Sequence, residues 1–391
     1  MVAMGAMRWD YFVILFLRVC DIGIDSKIRR YCRALRVNAI DHMALFWDRD
    51  GTAKGDSEIP DIRFVSTHDG GGKLVKAWRL LRLNLFAFLT LWRMRKRISL
   101  VHAVDFDMVL PAWLFNRLTG TPYIYDIYDN YPDSRGITGW MRKPLDWMEH
   151  FIIAHAARVI LADESRTVQH SPIPPSKLLI VENVPDIDQA SLPQSAPRTG
   201  QDRRLRIGYL GTFEPRFRGL EDVVQVVQGM AQVELHIAGI GALGPTIDAA
   251  AAACPRIHLY GPMEHRAGLA MLADCDIILG LYYSAVPNHR FAAPNKYFEH
   301  LLLGQPLLTS THTPPGAKVV ANDTGWAVDD HADAIKAALE QALADPQSVQ
   351  DKGARAAAIW QQDFANYFER AIAGDYVTAV RHLAKPTAER G

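Results

Sequence analysis

The sequence is poor in cysteine and has no net charge. Its four cysteines, Cys20, Cys32, Cys254 and Cys275, show neither close pairing nor the spacing of metal ligands. We therefore expect a reduced, cytoplasmic setting. The 43 basic residues balance the 43 acidic ones, so no overall field favours a nucleic acid as partner.

A long hydrophobic run is also missing. The apolar stretch Tyr11–Leu17 is seven residues long, which is too short to span a bilayer. Asp10 precedes it, Arg18 follows it, and no small-residue cleavage site comes after it, which argues against a signal peptide. We interpret the stretch as a first, buried parallel strand.

The chain does contain the alternation of strands and helices that is typical of α/β proteins. A loop at 21–26, a helix near 27–36 and a strand at 40–47 follow the first strand and complete a βαβ unit. The length of 391 residues predicts about two domains. We predict a Rossmann-like domain at 1–185 and a linker at 186–204, where Pro, Gln, Ser and Arg replace large apolar residues. A second Rossmann-like domain follows at 205–364, and a helical segment at 365–391 is expected to return to the first domain.

The segment Lys73–Arg97 combines an apolar stripe with positive charge. Its apolar residues at helical spacing are Leu74, Trp78, Leu81, Leu85, Phe88, Leu89 and Trp92. Eight basic residues and no acidic one accompany them. This mixture is typical of a helix that lies on an anionic membrane surface. The alternative is a domain helix whose stripe faces the sheet, and both hold together if one face packs while a basic edge meets lipid.

Polar side chains stand where strands of the first half are predicted to end. His102 and Asp105 lie near the end of one strand, and Asp126 and Asp129 near the end of the next. Open α/β sheets bind ligands at the carboxyl ends of their strands. A single His or Asp at such a place is often only a cap or turn residue, but several at successive strand ends predict a functional cleft.

The segment Ala293–Pro306 predicts a short helix with both ends marked. Pro294 suits a first helical position, and Gly304 stops the helix. Lys296 and Glu299 share one face, because they are three residues apart. A helix start with a lysine attracts phosphate, and a carboxylate one turn further in accepts hydrogen bonds from sugar hydroxyls. The pair predicts a site for the diphosphate and ribose of a nucleotide; the alternative is an ordinary surface helix.

Four stretches, taken in order, resemble the GT-B glycosyltransferases of the family 4 type, which include bacterial exopolysaccharide and lipid-linked oligosaccharide enzymes. They are Gly211–Leu220, Gly239–Gly241, Tyr260–Met263, and Pro294–Glu299 with Gly304–Pro306. Asn183–Asp186 and His102 echo weaker signatures of that family. The resemblance covers nearly the whole chain and implies two Rossmann-like, doubly wound domains that face a central cleft.

The resemblance implies that the second domain holds a nucleotide sugar linked to UDP or GDP. The implied donor-binding residues are Gly211, Thr212, Arg218, Gly241, Pro262, Met263, Asn295, Lys296, Tyr297 and Glu299. Basic side chains would neutralise the diphosphate, Glu299 would take the ribose hydroxyls, and Pro262 with Met263 would flank the base. One departure is Phe291, which occupies the first glutamate position of the family's Glu-x7-Glu motif.

The resemblance also implies that the first domain holds the acceptor. Asp129 stands where related enzymes place a carboxylate or histidine facing the anomeric centre, and His102 and Asp126 complete the implied catalytic set. As a general base, Asp129 would deprotonate the acceptor hydroxyl with inversion, whereas family 4 membership implies retention. The GT-B arrangement implies no metal and no cofactor besides the nucleotide sugar, since the helix dipole and basic residues stabilise the leaving diphosphate. The pattern Asp105-Phe-Asp107 resembles a metal-binding motif, but it lies in the acceptor domain and we discount it.

The expected activity is hexosyl or glycuronosyl transfer to a lipid-linked saccharide in cell-surface or exopolysaccharide biosynthesis. The enzyme would attach peripherally to the inner face of the cytoplasmic membrane through 73–97. Two alternatives stay open, a sugar-nucleotide epimerase of GT-B fold and a non-catalytic GT-B partner protein. The epimerase would not need the basic aromatic helix. The joint presence of Lys296, Glu299, Arg218 and Asp129 argues against the non-catalytic protein.

Overall fold

The computed structural model describes residues 13–49, 51–66, 72–170, 172–187, 189, 192 and 204–384. The chain divides into two compact units. The first domain comprises Met1–Glu182 and Tyr367–Gly391, and the second comprises Asn183–Asn366.

The first domain is built on a seven-stranded parallel sheet with the order β3-β2-β1-β4-β5-β6-β7. Its strands are β1 (Val13–Arg18), β2 (His42–Asp48), β3 (Asp61–Val65), β4 (Ile98–Val104), β5 (Tyr123–Ile127), β6 (Arg158–Leu161) and β7 (Leu178–Ile180). The central strands β4 and β5 are buried along their whole length, because both faces of a parallel sheet are covered. The strand order reverses between β1 and β4, which is where doubly wound sheets bind ligands.

Five helices accompany these strands in the described part of 13–182. They are α1 (Ser26–Val37), α2 (Lys73–Arg93), α3 (Phe106–Thr119), α4 (Tyr131–Ser134) and α5 (Arg142–His155). Asp25 begins α1, because its carboxylate accepts hydrogen bonds from the backbone N–H groups of Lys27 and Ile28. Helix α2 packs against α3. Among the described helices, none is both long enough and apolar enough to cross a bilayer.

The second domain has a six-stranded parallel sheet with the order β10-β9-β8-β11-β12-β13. Its strands are β8 (Leu205–Thr212), β9 (Val233–Ile240), β10 (Ile257–Gly261), β11 (Ile277–Gly280), β12 (Leu307–Ser310) and β13 (Gly325–Val328). Its helices are α6 (Leu220–Gly229), α7 (Gly244–Ala253), α8 (His265–Ala273), α9 (Asn295–Leu303), α10 (Pro314–Ala321), α11 (Ala332–Ala344) and α12 (Pro346–Ile359). The order again reverses beside the first strand of the domain, here between β8 and β11, so the switch point lies at the ends of these two strands.

The end of the chain packs on the first domain. Helix α12 is followed by two π-helical segments, Trp360–Phe364 and Phe368–Tyr376, and then by α13 (Val377–Leu383). The Tyr376 hydroxyl lies 2.9 Å from His102 Nδ1, and Arg381 donates to the Asn38 side-chain oxygen at 2.9 Å. Residues 385–391 of the predicted terminal segment lie outside the described residues.

The predicted strand, helix and second strand of the first βαβ unit are confirmed as β1, α1 and β2, and the predicted short helix is confirmed as α9. Helix α9 begins at Asn295, one residue later than predicted, because Pro294 is its N-cap residue, and it ends before Gly304, whose φ is +64°. Strand β8 continues through Thr212 and pairs with the end of β9. Tyr11 and most of the predicted linker at 186–204 lie outside the described residues. Strand β3 and helix α3 were not predicted.

Candidate functional site

The strands β8 and β9 each have a glycine next to their last residue, and we call these two neighbouring strand ends the glycine edge. Gly211 and Gly239 lie opposite each other in the two strands, with φ values of +153° and +151° that favour glycine. A Cβ on Gly239 would lie 1.8 Å from the Gly211 carbonyl oxygen, and a Cβ on Gly241 would lie 2.4 Å from the Phe213 carbonyl oxygen. Glycine is therefore required for packing at these positions, and it also allows a ligand to approach the backbone closely.

Lys296 of α9 brings a positive charge to this glycine edge. Its Nζ lies 4.7 Å from the centre of the Tyr209 ring, and a Cβ on Gly211 would come within 2.8 Å of it. Lys296 is the second residue of α9, so the backbone N–H groups of the first helical turn lie close to it in the chain. The start of α9, the Lys296 side chain and the glycine edge together form a site suited to a phosphate group.

Arg218 adds a second positive charge. Its guanidinium lies 4.5 Å from the centre of the Tyr282 ring, and its Nε donates to Glu214 at 2.9 Å. Burial lowers the pKa of Lys296 to about 8; the charge of Arg218 acts in the same direction, and the Glu299 carboxylate acts against it. Two cations that repel each other in a partly buried site are suited to a ligand with more than one negative charge.

Glu299 lies one turn after Lys296 and is almost completely buried. Its Oε1 accepts a hydrogen bond from His265 Nε2 at 2.8 Å, and that hydrogen bond raises the pKa of His265. The histidine side chain is 44% exposed, whereas the glutamate side chain is 5% exposed. His265 therefore fixes the direction of the carboxylate and links α8 to α9.

The other predicted donor residues differ in exposure. Thr212, Pro262 and Asn295 are exposed, and Met263 is half-buried just before α8. Tyr297 is only 5% exposed, and its ring packs edge-on against Phe298 and His300. The structure thus places the Tyr297 ring in the domain core, and we withdraw it as a direct ligand contact.

Sequence reasoning missed three residues of this site. Tyr209 and Tyr282 carry the rings against which Lys296 and Arg218 lie, and His265 is the partner of Glu299. Tyr282 could have been found, because it follows the buried strand β11. The pairing of His265 with Glu299 joins residues 34 positions apart, and no local pattern indicates it.

In the first domain, His102 and Asp126 belong to a buried network. Asp126 accepts from Lys27 Nζ at 2.9 Å and from the Tyr31 hydroxyl at 3.1 Å, and it lies 3.3 Å from His102 Nε2. His102 and Asp126 have no exposed surface. Burial lowers the pKa of His102 and also that of Lys27. The complete burial of both side chains within this network favours a structural role over the predicted catalytic one.

Asp129 is accessible at the end of β5. Its side chain is 51% exposed, and Arg166 Nη2 lies 3.3 Å from its Oδ1. Asp105, at the end of β4, has a φ of +61°, accepts from the Tyr128 backbone N–H at 2.9 Å and pairs with Arg18. Burial raises the pKa of Asp105 to about 6; Arg18 acts against this shift, and the charge of Asp129 contributes to it. Asp105 therefore lies with Asp129 among the polar residues at the carboxyl ends of these strands.

Helix α2 has a packed face and an exposed apolar face. Leu83, Ala87 and Leu91 are buried, whereas Trp78 and Leu81 are about 60% exposed. One face of α2 therefore packs on the domain and another is exposed, while contact of the exposed face with lipid stays a prediction.

The exposed face of α2 borders an apolar groove of about 510 Å³ between α2 and α3. Its lining includes Leu81, Leu85 and Phe88 of α2, and Leu110 and Leu114 of α3. The apolar surface continues onto α5: Trp113 of α3 contacts Phe151, which stacks on Trp147, and Trp147 is 68% exposed. An exposed apolar surface of this extent is typical of a binding site for a lipid or a protein.

Two parallel, doubly wound domains define the class of the protein, which has the GT-B fold. Comparison with known families agrees, since residues 23–183 match the family described as "Glycosyl transferase 4-like domain". The predicted resemblance to family 4-like GT-B glycosyltransferases is thus confirmed, by the fold of both domains and by the family match of the first. No curated protein matches the sequence.

Solved glycosyltransferase structures share the fold along the whole chain. Sucrose-phosphate synthase from Thermosynechococcus elongatus has a TM-score of 0.74 at 16% identity, over 95% of this chain and 99% of that one. Anabaena HepE in complex with UDP-glucose has a TM-score of 0.65 at 14% identity, over 96% of this chain and 98% of that one. The apo form of the lipopolysaccharide outer core galactosyltransferase WaaB has a TM-score of 0.65 at 14% identity, over 95% and 99%. At these identities the likeness concerns the fold.

Proposed function

We propose that the protein is a glycosyltransferase that moves a sugar from a nucleoside diphosphate to a lipid-linked saccharide. The observation that carries the proposal is the position of Lys296. It belongs to the first turn of α9, its side chain lies beside Gly211 of β8, and Glu299 follows one turn further along the helix. A nucleotide sugar needs cations for its diphosphate and an acceptor for its ribose hydroxyls. Lys296 and Glu299 supply these two functions from one face of one helix.

The donor diphosphate is held without a metal ion in this proposal. Lys296, Arg218 and the N–H groups at the start of α9 provide positive charge where the leaving diphosphate develops negative charge. Gly211 and Gly239 let the phosphates approach the backbone. HepE, which shares the fold, was solved with UDP and with UDP-glucose, so UDP is the first nucleotide to test here.

The acceptor belongs to the first domain, where Asp129 is the exposed carboxylate at the end of β5. Asp129 either takes the proton from the acceptor hydroxyl, with inversion at the sugar carbon, or positions the acceptor in a retaining reaction. The stereochemistry of the product, determined by NMR, distinguishes the two.

The lipid part of the acceptor is assigned to the apolar groove between α2 and α3. The groove opens beside the exposed residues Trp78 and Leu81, and exposed Arg82, Arg93, Arg95 and Lys96 lie on the same helix or directly after it. Basic residues add roughly 1 kcal/mol each where they come close to anionic lipid. This arrangement fits an enzyme of cell-surface or exopolysaccharide assembly that works peripherally at the inner face of the cytoplasmic membrane.

Calorimetry with UDP tests the donor site. Lys296→Ala should weaken binding by roughly 1.5–3 kcal/mol, which is the range for a hydrogen bond to a charged group. Lys336→Ala is the matched control, since Lys336 is a half-exposed lysine on α11 of the same domain. Equal affinities of wild type and Lys296→Ala would place the donor site elsewhere.

Vesicle binding tests the membrane surface separately. Replacement of Arg93, Arg95, Lys96 and Arg97 by Ser should release the protein from anionic vesicles and leave UDP binding unchanged. Wild-type binding should weaken with salt and be absent from neutral vesicles. If the wild-type protein does not bind anionic vesicles at low salt, that result would indicate a soluble acceptor.

A further inference from the structure

Three potential metal ligands converge on one face of the second sheet. Glu234 and His236 of β9 are two residues apart, so their side chains lie on the same face of the strand. His258 of the edge strand β10 is the register partner of His236. The three side chains therefore lie side by side across two neighbouring strands.

The ligand atoms of these residues lie close to one another, and the two imidazole rings are stacked with their centres 4.6 Å apart. Glu234 Oε2 lies 3.7 Å from His236 Nε2 and 3.9 Å from His258 Nε2. All three lie within 4.8 Å of one another. Ligand atoms around a tetrahedral zinc ion are about 3.3 Å apart, given bonds of about 2.0–2.1 Å. Side-chain movements of less than about 1.5 Å therefore bring the three atoms to the spacing that a metal requires.

Both Nε2 atoms are buried and make no hydrogen bond to any described residue. His236 as a whole is 9% exposed. A buried ring nitrogen without a partner is destabilising, and a metal ion in the space between the two rings and Glu234 would satisfy both nitrogens at once.

Tyr260 contacts the His236 ring at Nδ1, the nitrogen that is not a proposed metal ligand. Its hydroxyl lies 2.8 Å from His236 Nδ1. When Nδ1–H donates to the tyrosine oxygen, the lone pair of the ring is on Nε2, toward the other two ligands. Metal-bound histidines commonly donate their second N–H in this way.

Glu234 has further partners. Its Oε1 accepts from Arg204 at 2.9 Å, and Arg206 Nε lies 3.5 Å from its Oε2. Oε1 accepts the hydrogen bond from Arg204, whereas Oε2 has the longer contact with Arg206, so Oε2 is the oxygen that a metal would bind in place of that contact. The nearby arginines also favour an anionic ligand at any open coordination position.

We propose that Glu234, His236 and His258 form a site for a divalent first-row transition ion, tested here as Zn²⁺. Two imidazoles and one carboxylate are ligands that such ions accept, with further positions left for water or an anion. The site lies in the amino-terminal half of β9, whereas the donor site lies at the carboxyl end of β8 and β9. The ion would connect the edge strand β10 to β9 and would take no part in sugar transfer.

Zinc uptake by protein without a polyhistidine tag tests the proposal. The chelator-treated protein is equilibrated with ZnCl₂ and desalted, and its zinc content and its Tm are measured. Wild type should retain one zinc ion per chain and should show a higher Tm with zinc than without. His258→Gln should lose both properties; the side chain is 39% exposed, so this replacement is compatible with folding, which circular dichroism checks.

Two further variants distinguish a specific zinc site from nonspecific binding of zinc to histidines. Tyr260→Phe, which removes only the partner of His236 Nδ1, should weaken zinc binding about 10-fold or more. His312→Gln should bind zinc like wild type, since His312 is 61% exposed and lies 3.9 Å from Asp329, outside the proposed site. The proposal is overturned if wild type keeps no stoichiometric zinc, if His258→Gln keeps as much as wild type, or if His258→Gln and His312→Gln lose zinc equally.

Discussion

The affinity for the nucleotide sugar should fall as the pH rises above 8, because Lys296 must be protonated to pair with the diphosphate. Burial lowers the pKa of Lys296 to about 8. In the ligand-free protein, Lys296 is charged in about half of the molecules at pH 8 and in about a tenth of them at pH 9. Bound diphosphate stabilises the charged form and raises the pKa, so binding takes up a proton in this range. The affinity should therefore be constant below about pH 7 and fall roughly tenfold per pH unit above 8, or about 1.4 kcal/mol per unit.

Calorimetry between about pH 6.5 and about pH 9.5 measures this dependence. UDP-glucose is the suitable ligand, since its diphosphate does not titrate in this interval. Titrations in buffers with different ionisation enthalpies give the number of protons taken up. The neighbouring tyrosines do not interfere, because burial raises the pKa of Tyr282 to about 12 and that of Tyr209 further.

Lys296→Met is the control, since it keeps the length of the side chain and removes the titrating group. It should bind weakly and with no pH dependence above 7. The reasoning is refuted if wild-type affinity stays constant to about pH 9.5, or if Lys296→Met shows the same fall as wild type.

Three further predictions concern single residues. Gly239→Ala should destabilise the protein by about 1–3 kcal/mol in urea denaturation, because its Cβ would lie 1.8 Å from the Gly211 oxygen; Gly229→Ala, with no atom within 4 Å of the new Cβ, should be neutral or stabilising, and equal effects would contradict the account of this edge. His265→Ala should weaken UDP binding by about 1 kcal/mol with unchanged thermal stability, because Glu299 loses the group that orients it; unaltered affinity would remove His265 from the site. Asp129→Asn should lower turnover by about 10²-fold if Asp129 is a general base, with donor affinity unchanged, and turnover equal to wild type would exclude it from the mechanism.

The sequence predicts helix α9 of the proposed donor site well, because its signals are local. Pro294 and Gly304 bound helix α9, and the spacing of Lys296 and Glu299 places both on one face, as the structure shows. The glycines at the ends of β8 and β9 follow from the same kind of local reasoning. The burial of Tyr297 was not predicted, because the resemblance matches the residues of the motif and does not say which side of a short helix faces the core.

The acceptor side is harder to predict, because burial depends on distant parts of the chain. His102 and Asp126 occupy the strand ends that favour ligands, but the hydroxyl of Tyr376, 274 residues after His102, lies against the histidine ring. The positive φ of Asp105 and its contact with Arg18 could not be predicted, because they arise only when β1 and β4 lie side by side. The proposed zinc ligands were missed as well, since Glu234 and His258 come together through strand pairing.

Consumption of nucleotide sugars tests the proposed function most directly. Purified wild type and Lys296→Ala are incubated with a panel of UDP- and GDP-sugars, with and without a bacterial lipid extract, and the released nucleoside diphosphate is measured. We expect wild type to release it from one donor, faster with the lipid extract, together with a glycosylated lipid product, and we expect Lys296→Ala to be far slower. Release of free sugar without any acceptor would indicate an epimerase, and a wild-type protein that neither binds nor consumes any nucleotide sugar would contradict the proposal.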